Sequence, residues 1–279
     1  MNSVIINGKM TDCVASSDRG LLYGDGLFET VAVIKGEPCF WQLHLQRLQA
    51  GCSRLGIEAV DEVLLTEECR QLVDGVDRAV VKIIVTRGTG GRGYRTPANA
   101  VPVRILQLHD VPDFPAACAQ QGVAVRLCNL RLGHNPALAG IKHLNRLEQV
   151  LARQEWNDPD IPEGLLLDAE GNLVEGTMSN LFLVREGVLM TPDLQRCGVA
   201  GVMRSRLLEL AARLPVGTGI RKLGMTDLHA AEEVFVCNSV IGIWPVIAID
   251  DRTYSRGEIT SRLQGLLESM PNSGGLWRA

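Results

Sequence analysis

Apolar and polar residues alternate along the opening stretch of the chain, the rhythm of half-buried strands. SVII runs into the turn NGK, and LFETVAVIKGEPCFW repeats the pattern through a second turn at Lys35-Gly36, so hairpins are expected. A helical rhythm follows from 41 to 55, where Leu43, Leu45, Leu48 and Cys52 approximate one face and His44 and Arg47 share a neighbouring one. A second helix is expected from 61 to 73. AVVKIIVTRG and PVRILQLH then read as strands around the glycine-rich TRGTGGRGYRTP.

Beyond the proline-punctuated stretch from Val111 to Pro115 the pattern is dominated by strands: GVAVRLCN, EGLLLDA, NLFLVREGVLMTP and EVFVCNS. Helices are expected among them at about 145–154, 202–214 and 255–267, with Leu147, Val150 and Leu151 facing a core. The tail PNSGGLWRA has the composition of a loose terminus. A boundary is expected within 113–121, dividing the chain into a smaller N-terminal α+β domain, 1–115, and a larger strand-rich domain, 116–279.

Composition narrows the function classes. With 279 residues, 46% hydrophobic and 22% charged, the chain can bury a real core. A net charge of -4 and no basic run argue against nucleic acid or a membrane surface as partner. No apolar stretch reaches the roughly 18 residues of a membrane span, and the first residues show no charged leader, so a cytoplasmic protein is expected. Eight cysteines without a CxxC pair read as small buried hydrophobes rather than a disulfide or metal framework, and no metal is expected.

Only five of the 28 basic residues are lysines, which shortens the search for a catalytic amine. Lys9, Lys35, Lys82 and Lys222 look like surface lysines. Lys142, in ALAGIKHLNRLEQVLARQ, sits just before Asn145, a candidate helix cap, and follows small apolar residues. Desolvation there would make its amine a nucleophile and base, although a snorkelling side chain at a helix start explains the position as simply.

Three further elements carry chemistry. Glu175 follows the Glu170-Gly171-Asn172 hairpin and precedes a Gly-Thr-Met-Ser-Asn loop, as a carboxylate facing a ring nitrogen would, or as an ordinary hairpin-rim glutamate. CGVAGVMRSRLLELAARL places glycines before a helix starting near Val202, where open N–H groups bind phosphate, or where a glycine simply leads a helix. Arg47 is either a bidentate phosphate ligand or a solvated helix charge.

In this order and spacing the segments resemble the fold-type IV pyridoxal-phosphate (PLP) enzymes, which include branched-chain and D-amino-acid aminotransferases and 4-amino-4-deoxychorismate lyases. The likeness runs from about Ile5 to Val246 through SDRGLLYGDGLFET, HLQRL, GIKHLNRLEQ, EGTMSN, the GVMR helix start and a strand ending before Pro245. It implies PLP as cofactor, Lys142 as the Schiff-base lysine and Glu175 as partner of the pyridine nitrogen. Arg47, the backbone of Val202 and Met203, and the hydroxyl of Ser239 are the implied phosphate ligands. The family is usually dimeric, so a homodimer is implied, with Tyr23 acting across its interface. RGTGGRGYRTP, RLGHNPALAGIKHLNRLEQV and the Cys237-Asn238-Ser239 segment are similar to those of the lyases, as is Thr30 where branched-chain aminotransferases have glycine. The implied activity is therefore a lyase reaction on a small molecule in folate biosynthesis, with Thr30 as a catalytic residue that hydrogen-bonds the substrate or helps protonate the leaving group, Tyr23 and Asn238 toward the substrate, and Arg92 either a carboxylate ligand or a solvated loop charge. The alternative is a branched-chain or D-amino-acid aminotransferase on the same scaffold.

Overall fold

The computed structural model describes residues 3–270, so the expected loose tail at 271–279 lies outside the described residues. The chain forms two compact units. The first comprises the residues up to Pro112 together with Ile141–Asn145, and the second comprises Asp113–Gly140 and the chain from Arg146 onward.

In the first unit the order is β1 (Val4–Ile6), β2 (Lys9–Met10), α1 (Arg19–Tyr23), β3 (Gly26–Ile34), β4 (Glu37–Pro38), α2 (Trp41–Leu55), α3 (Glu62–Val73), β5 (Arg78–Thr86) and β6 (Val103–His109). The strands make one antiparallel sheet in the order β2-β1-β6-β5-β3-β4. Both expected hairpins form. Asn7-Gly8 and Lys35-Gly36 each take positive φ at two successive positions, as tight turns joining right-twisted strands require. Asp61 caps α3 by accepting from the N–H groups of Val63 and Leu64. Leu27, Val31 and Val33 of β3, Val81, Ile83 and Val85 of β5, and Leu45, Leu48, Leu65, Cys69 and Leu72 of the two helices make the core. Phe28 and Thr30 alternate with these and face the other side of the sheet, where Thr30 stands opposite Lys82 and Phe28 opposite Ile84.

The segment Ile141–Asn145 completes this unit. Ile141 is buried in its core, the Phe28 N–H donates to the Lys142 carbonyl, and the Leu144 N–H donates to the Gly26 carbonyl. These bonds occupy the stretch of the β3 edge that β4, paired only with Val33 and Ile34, leaves open.

The second unit contains α4 (Ala117–Gln120), β7 (Val123–Leu132), α5 (Leu147–Arg153), β8 (Glu163–Asp168), β9 (Leu173–Gly176), β10 (Asn180–Arg185), β11 (Val188–Pro192), α6 (Val202–Ala211), β12 (Gly217–Arg221), α7 (Met225–His229), β13 (Glu233–Asn238), β14 (Gly242–Ile249), β15 (Arg252–Thr253) and α8 (Glu258–Glu268). Its sheet runs β12-β11-β10-β13-β14-β7-β8-β9, and an additional β9–β10 pairing closes six of the strands into a barrel-like ring. The closing register pair is Asn180 opposite Glu175. Strands such as LLLD and NLFLV are buried on both faces, which is why they read as continuous apolar runs.

Four local expectations are corrected. Asn145 does not cap α5; the cap position is Arg146, without a side-chain bond, and Asn145 Nδ2 instead donates to the Gly24 carbonyl at 3.1 Å. Leu147, Val150 and Leu151 do not face a core: they are 75%, 49% and 54% exposed, and Ala152 is the buried residue of this helix. The strand expected to end before Pro245 continues through it to Ile249, with Pro245 opposite Phe235. Cys13 is exposed, while Cys39, Cys52, Cys69, Cys128 and Cys237 are buried. Burial pushes the Cys39, Cys69 and Cys128 thiols up to about 12, so they are inert apolar side chains at neutral pH.

Candidate active site

The sequence-predicted residues fall into two groups, one in each unit. In the first, the register of Lys142 against β3 carries its side chain to Phe28, and the ammonium lies 4.3 Å from the ring centroid. The Lys82 ammonium lies 5.7 Å from the same ring. Lys82 is therefore not the free surface lysine its alternating strand suggested: it is half-buried, on the sheet face that bears Phe28 and Thr30. Two amines and the Thr30 hydroxyl thus share one sheet face, a donor set suited to an anionic ligand.

Behind that face lies a buried charge cluster. Glu29 points to the core side of β3, is 1% exposed, and meets α2 where His44 and Arg47 stand one turn apart. Arg47 Nε donates to Glu29 Oε1 at 2.8 Å, its terminal nitrogen pairs with Oε2, and His44 Nδ1 lies 2.6 Å from Oε2. Burial alone would raise the Glu29 pKa, but the charge and hydrogen bonds of Arg47 together with those of His44 outweigh it and hold the carboxyl at about 2. Burial also pulls His44 down, Lys142 being among the cations that add to the effect. A neutral His44 beside a carboxylate must carry its proton on Nδ1. Arg47 thus spends part of its fork on Glu29, which fixes its orientation; the sequence singled out Arg47 and missed the carboxylate.

Tyr23 and Arg92 belong to a third element of this unit. Tyr23 closes α1 and its hydroxyl accepts from the Gly93 N–H at 3.2 Å, while Arg92 sits exposed in the adjoining glycine-rich loop.

In the second unit Glu175 is buried at the seam of the ring. Its Oε2 accepts from the Val199 N–H at 2.8 Å, and its Oε1 accepts from Gln149 Nε2 at 3.3 Å. Arg146 stands nearby with its pKa lowered by burial, against the opposing charges of Glu175 and Glu148. The loop after Glu175 is organised by Glu163, which sequence reading passed over. This fully buried carboxylate accepts from the N–H groups of Gly164, Thr177 and Met178 and from the hydroxyls of Thr177 and Ser179. Its only sequence signal is an acidic residue opening an otherwise apolar strand.

Val202 and Met203 open α6 behind Gly201, which offers no side-chain cap. The first-turn N–H groups of a helix have no partner within it. A Cβ at Gly201 would come 2.0 Å from Asn180 Oδ1, so any larger residue there must push the Asn180 side chain aside. The Ser239 side chain is buried. Asn238 is occupied locally: Nδ2 donates to the Met178 carbonyl, and Oδ1 accepts from the Val240 and Ile241 N–H groups. Among the described residues no group of three or more His, Cys, Asp or Glu side chains is arranged to hold a metal ion.

A six-strand ring closed at an acidic residue, a glycine-led helix start and an amine drawn onto the edge of β3 define a class of protein. The chain belongs to the class IV amino-transferase family, whose sequence model matches residues 26–249. Its fold is that of the fold-type IV enzymes, which depend on pyridoxal phosphate. It is 35% identical to the aminodeoxychorismate lyase of Vibrio harveyi, covering 95% of this chain and 99% of that one. It is 31% identical to a putative branched-chain-amino-acid aminotransferase of Methanocaldococcus jannaschii, covering 98% of each. Among solved structures it resembles the 4-amino-4-deoxychorismate lyase of Pseudomonas aeruginosa, with 49% identity over 95% of this chain and 98% of that one and a TM-score of 0.92.

The donors present suit the family's cofactor: a lysine amine for an aldehyde carbon, a buried carboxylate for a ring nitrogen, and an uncapped helix start passing too close for a Cβ, with a hydroxyl, for a phosphate.

Proposed function

We propose that the protein is a PLP-dependent 4-amino-4-deoxychorismate lyase, releasing 4-aminobenzoate and pyruvate, a step in folate biosynthesis. The observation that carries this reading is the 49% identity, over nearly the whole chain, to a lyase of that name, against 25% to the branched-chain aminotransferase of Escherichia coli. The local chemistry supports it, because Thr30 and Lys82 stand side by side on the face that bears Lys142.

When bound, PLP accepts the electron pair left by a departing proton. Lys142 would hold the cofactor through its amine, and the same amine, when free, would take the proton from the ring carbon that bears the substrate's amino group. Glu175, oriented by Val199 and Gln149, would hold a proton on the pyridine nitrogen. Arg47, oriented by Glu29, the Val202 and Met203 N–H groups and Ser239 are the residues assigned to hold the phosphate. Thr30, Arg92, Tyr23 and Asn238 are assigned to the substrate; Tyr23 is held to the loop of Arg92 through the Gly93 N–H. Loss of that proton and cleavage of the neighbouring carbon–oxygen bond would release enolpyruvate, which gains a proton to become pyruvate, while the ring becomes aromatic.

The protein acts as a homodimer in the cytoplasm. The apolar stripe Leu147, Val150 and Leu151, exposed on α5 in the single chain, supports burial against a second copy. Among the described residues no helix is long and apolar enough to cross a membrane.

The test is product analysis. Incubation with 4-amino-4-deoxychorismate and no 2-oxo acid should yield pyruvate and 4-aminobenzoate in equal amounts. Turnover confined to branched-chain or D-amino acids with 2-oxoglutarate would replace the lyase reading by an aminotransferase.

A further inference from the structure

The glycine-rich loop after β5 has the composition of a mobile segment, yet it is sewn along its length to the stretch from Ser17 to Tyr23. The Arg19 N–H donates to the Gly88 carbonyl and the Gly90 N–H to the Ser17 carbonyl. Asp18 forms a bridge with Thr89 and accepts from the Thr86 hydroxyl at 2.7 Å. The remaining ties converge on one side chain. Arg19 NH1 donates to the Gly93 carbonyl at 3.1 Å, and NH2 donates to the Tyr94 carbonyl at 3.2 Å. Its Nε donates to Asp25 Oδ2 at 2.9 Å, and its guanidinium lies 4.8 Å from the centre of the Tyr23 ring. Tyr94 meets Tyr23 edge to face, with centroids 5.5 Å apart.

Arg19 is 4% exposed, although the loop it holds is among the most exposed segments of the unit. An arginine that spends all three nitrogen positions on one carboxylate and two consecutive loop carbonyls fixes both the height and the tilt of that loop. The two carbonyls belong to the residues that immediately follow Arg92. Glycines at 88 and 93, with φ of +88° and +91°, provide no rigidity of their own.

We propose that Arg19 is a positioning residue for substrate binding, setting the glycine-rich loop so that Arg92 meets a substrate carboxylate. This rests on the reading of Arg92 as a carboxylate ligand. The arrangement also makes Arg19 removable without collapse, because Asp25 keeps Arg87, whose Nε and NH2 donate to its two oxygens at 2.8 and 3.0 Å.

The test compares holoenzyme carrying Arg19→Met, Arg19→Lys, Arg92→Ala and the Arg19→Met/Arg92→Ala pair, with 4-amino-4-deoxychorismate as substrate. Arg92→Ala should raise KM roughly tenfold or more, the loss of a charge-assisted pair. Arg19→Met should raise KM about tenfold, with kcat within about twofold and the visible absorption of bound cofactor unchanged. Arg19→Lys should not rescue, since an ammonium cannot span Asp25 and both carbonyls. The double variant should be no worse than Arg92→Ala alone, because the two act through one contact. In parallel, trypsin should cut after Arg92 or Arg95 faster in Arg19→Met than in the unaltered protein. If Arg92→Ala leaves KM unchanged, the reading of Arg92 fails. If Arg92→Ala raises KM but Arg19→Met does not, or their effects multiply, the positioning role is overturned. If the unaltered enzyme does not turn over this substrate, the lyase reading fails, and unchanged trypsin cleavage in Arg19→Met would then also refute the hold on the loop.

Discussion

Replacing Glu29 by glutamine separates charge from shape in the cluster beneath β3. Glutamine approximates the protonated acid, so the cost of the substitution equals the part of the stability that depends on ionisation. Glu29 is ordinarily a pKa 4.5 group and is held at about 2 in the folded protein. At about 1.4 kcal/mol per decade this gap amounts to about 3 kcal/mol. Because the folded pKa is the depressed one, the stabilisation is complete above pH 4.5 and is lost as pH falls toward 2. About 1 kcal/mol of it should be gone at pH 3.5. His44 is pulled down by burial and partly restored by Glu29, so its own titration would respond to the substitution; both proteins are therefore compared in a His44→Asn background. Urea unfolding of cofactor-free protein, followed from pH 7 to pH 3.5, should show Glu29→Gln less stable by about 3 kcal/mol at neutral pH, the gap narrowing to about 2 kcal/mol at the acid end. A gap that stays constant with pH, or a variant as stable as the parent at pH 7, would refute the account of a buried carboxylate held ionised by Arg47.

Three further outcomes follow from the geometry. Glu175→Gln should retain the cofactor in absorption spectra but lose turnover by roughly 100-fold, since an amide cannot hold a proton on the pyridine nitrogen; near-normal rates would make Glu175 a seam residue only. Gly201→Ala should cost about 1–3 kcal/mol in thermal unfolding and weaken cofactor retention on dialysis, because its Cβ must displace the buried Asn180 side chain. Leu147→Glu should halve the mass seen by light scattering without unfolding the chain, the outcome expected if the α5 stripe is covered by a second copy.

Much of the fold was legible because local signals and tertiary demands agree. Helix α2 fills the span from Trp41 to Leu55 that its apolar spacing marked, and the Asn-Gly and Lys-Gly turns dictated their hairpins. Reading failed where a residue's meaning depends on a distant partner. Lys82 looks solvated in an alternating strand, and only the return of the chain at Lys142 puts a second amine beside it over Phe28. An apolar stripe on α5 signals burial, but not whether the cover comes from the same chain, so Leu147, Val150 and Leu151 were assigned to a core they do not reach. Glu163 and Arg19 were missed for a different reason. Each works by gathering backbone groups of a loop, and backbone groups leave no trace in a sequence.

The completion of the first unit by Ile141–Asn145 bears on how the chain emerges from a ribosome. A nascent chain that has just passed Pro112 has every strand of the antiparallel sheet but lacks the residues that occupy the β3 edge at Gly26 and Phe28. About 30 further residues must be added first, which takes a few seconds at ordinary elongation rates. During that interval the newly made sheet carries an open apolar edge, the feature through which neighbouring chains associate. Synthesis of Asp113 to Asn145 is therefore the interval in which this edge has no cover from its own chain.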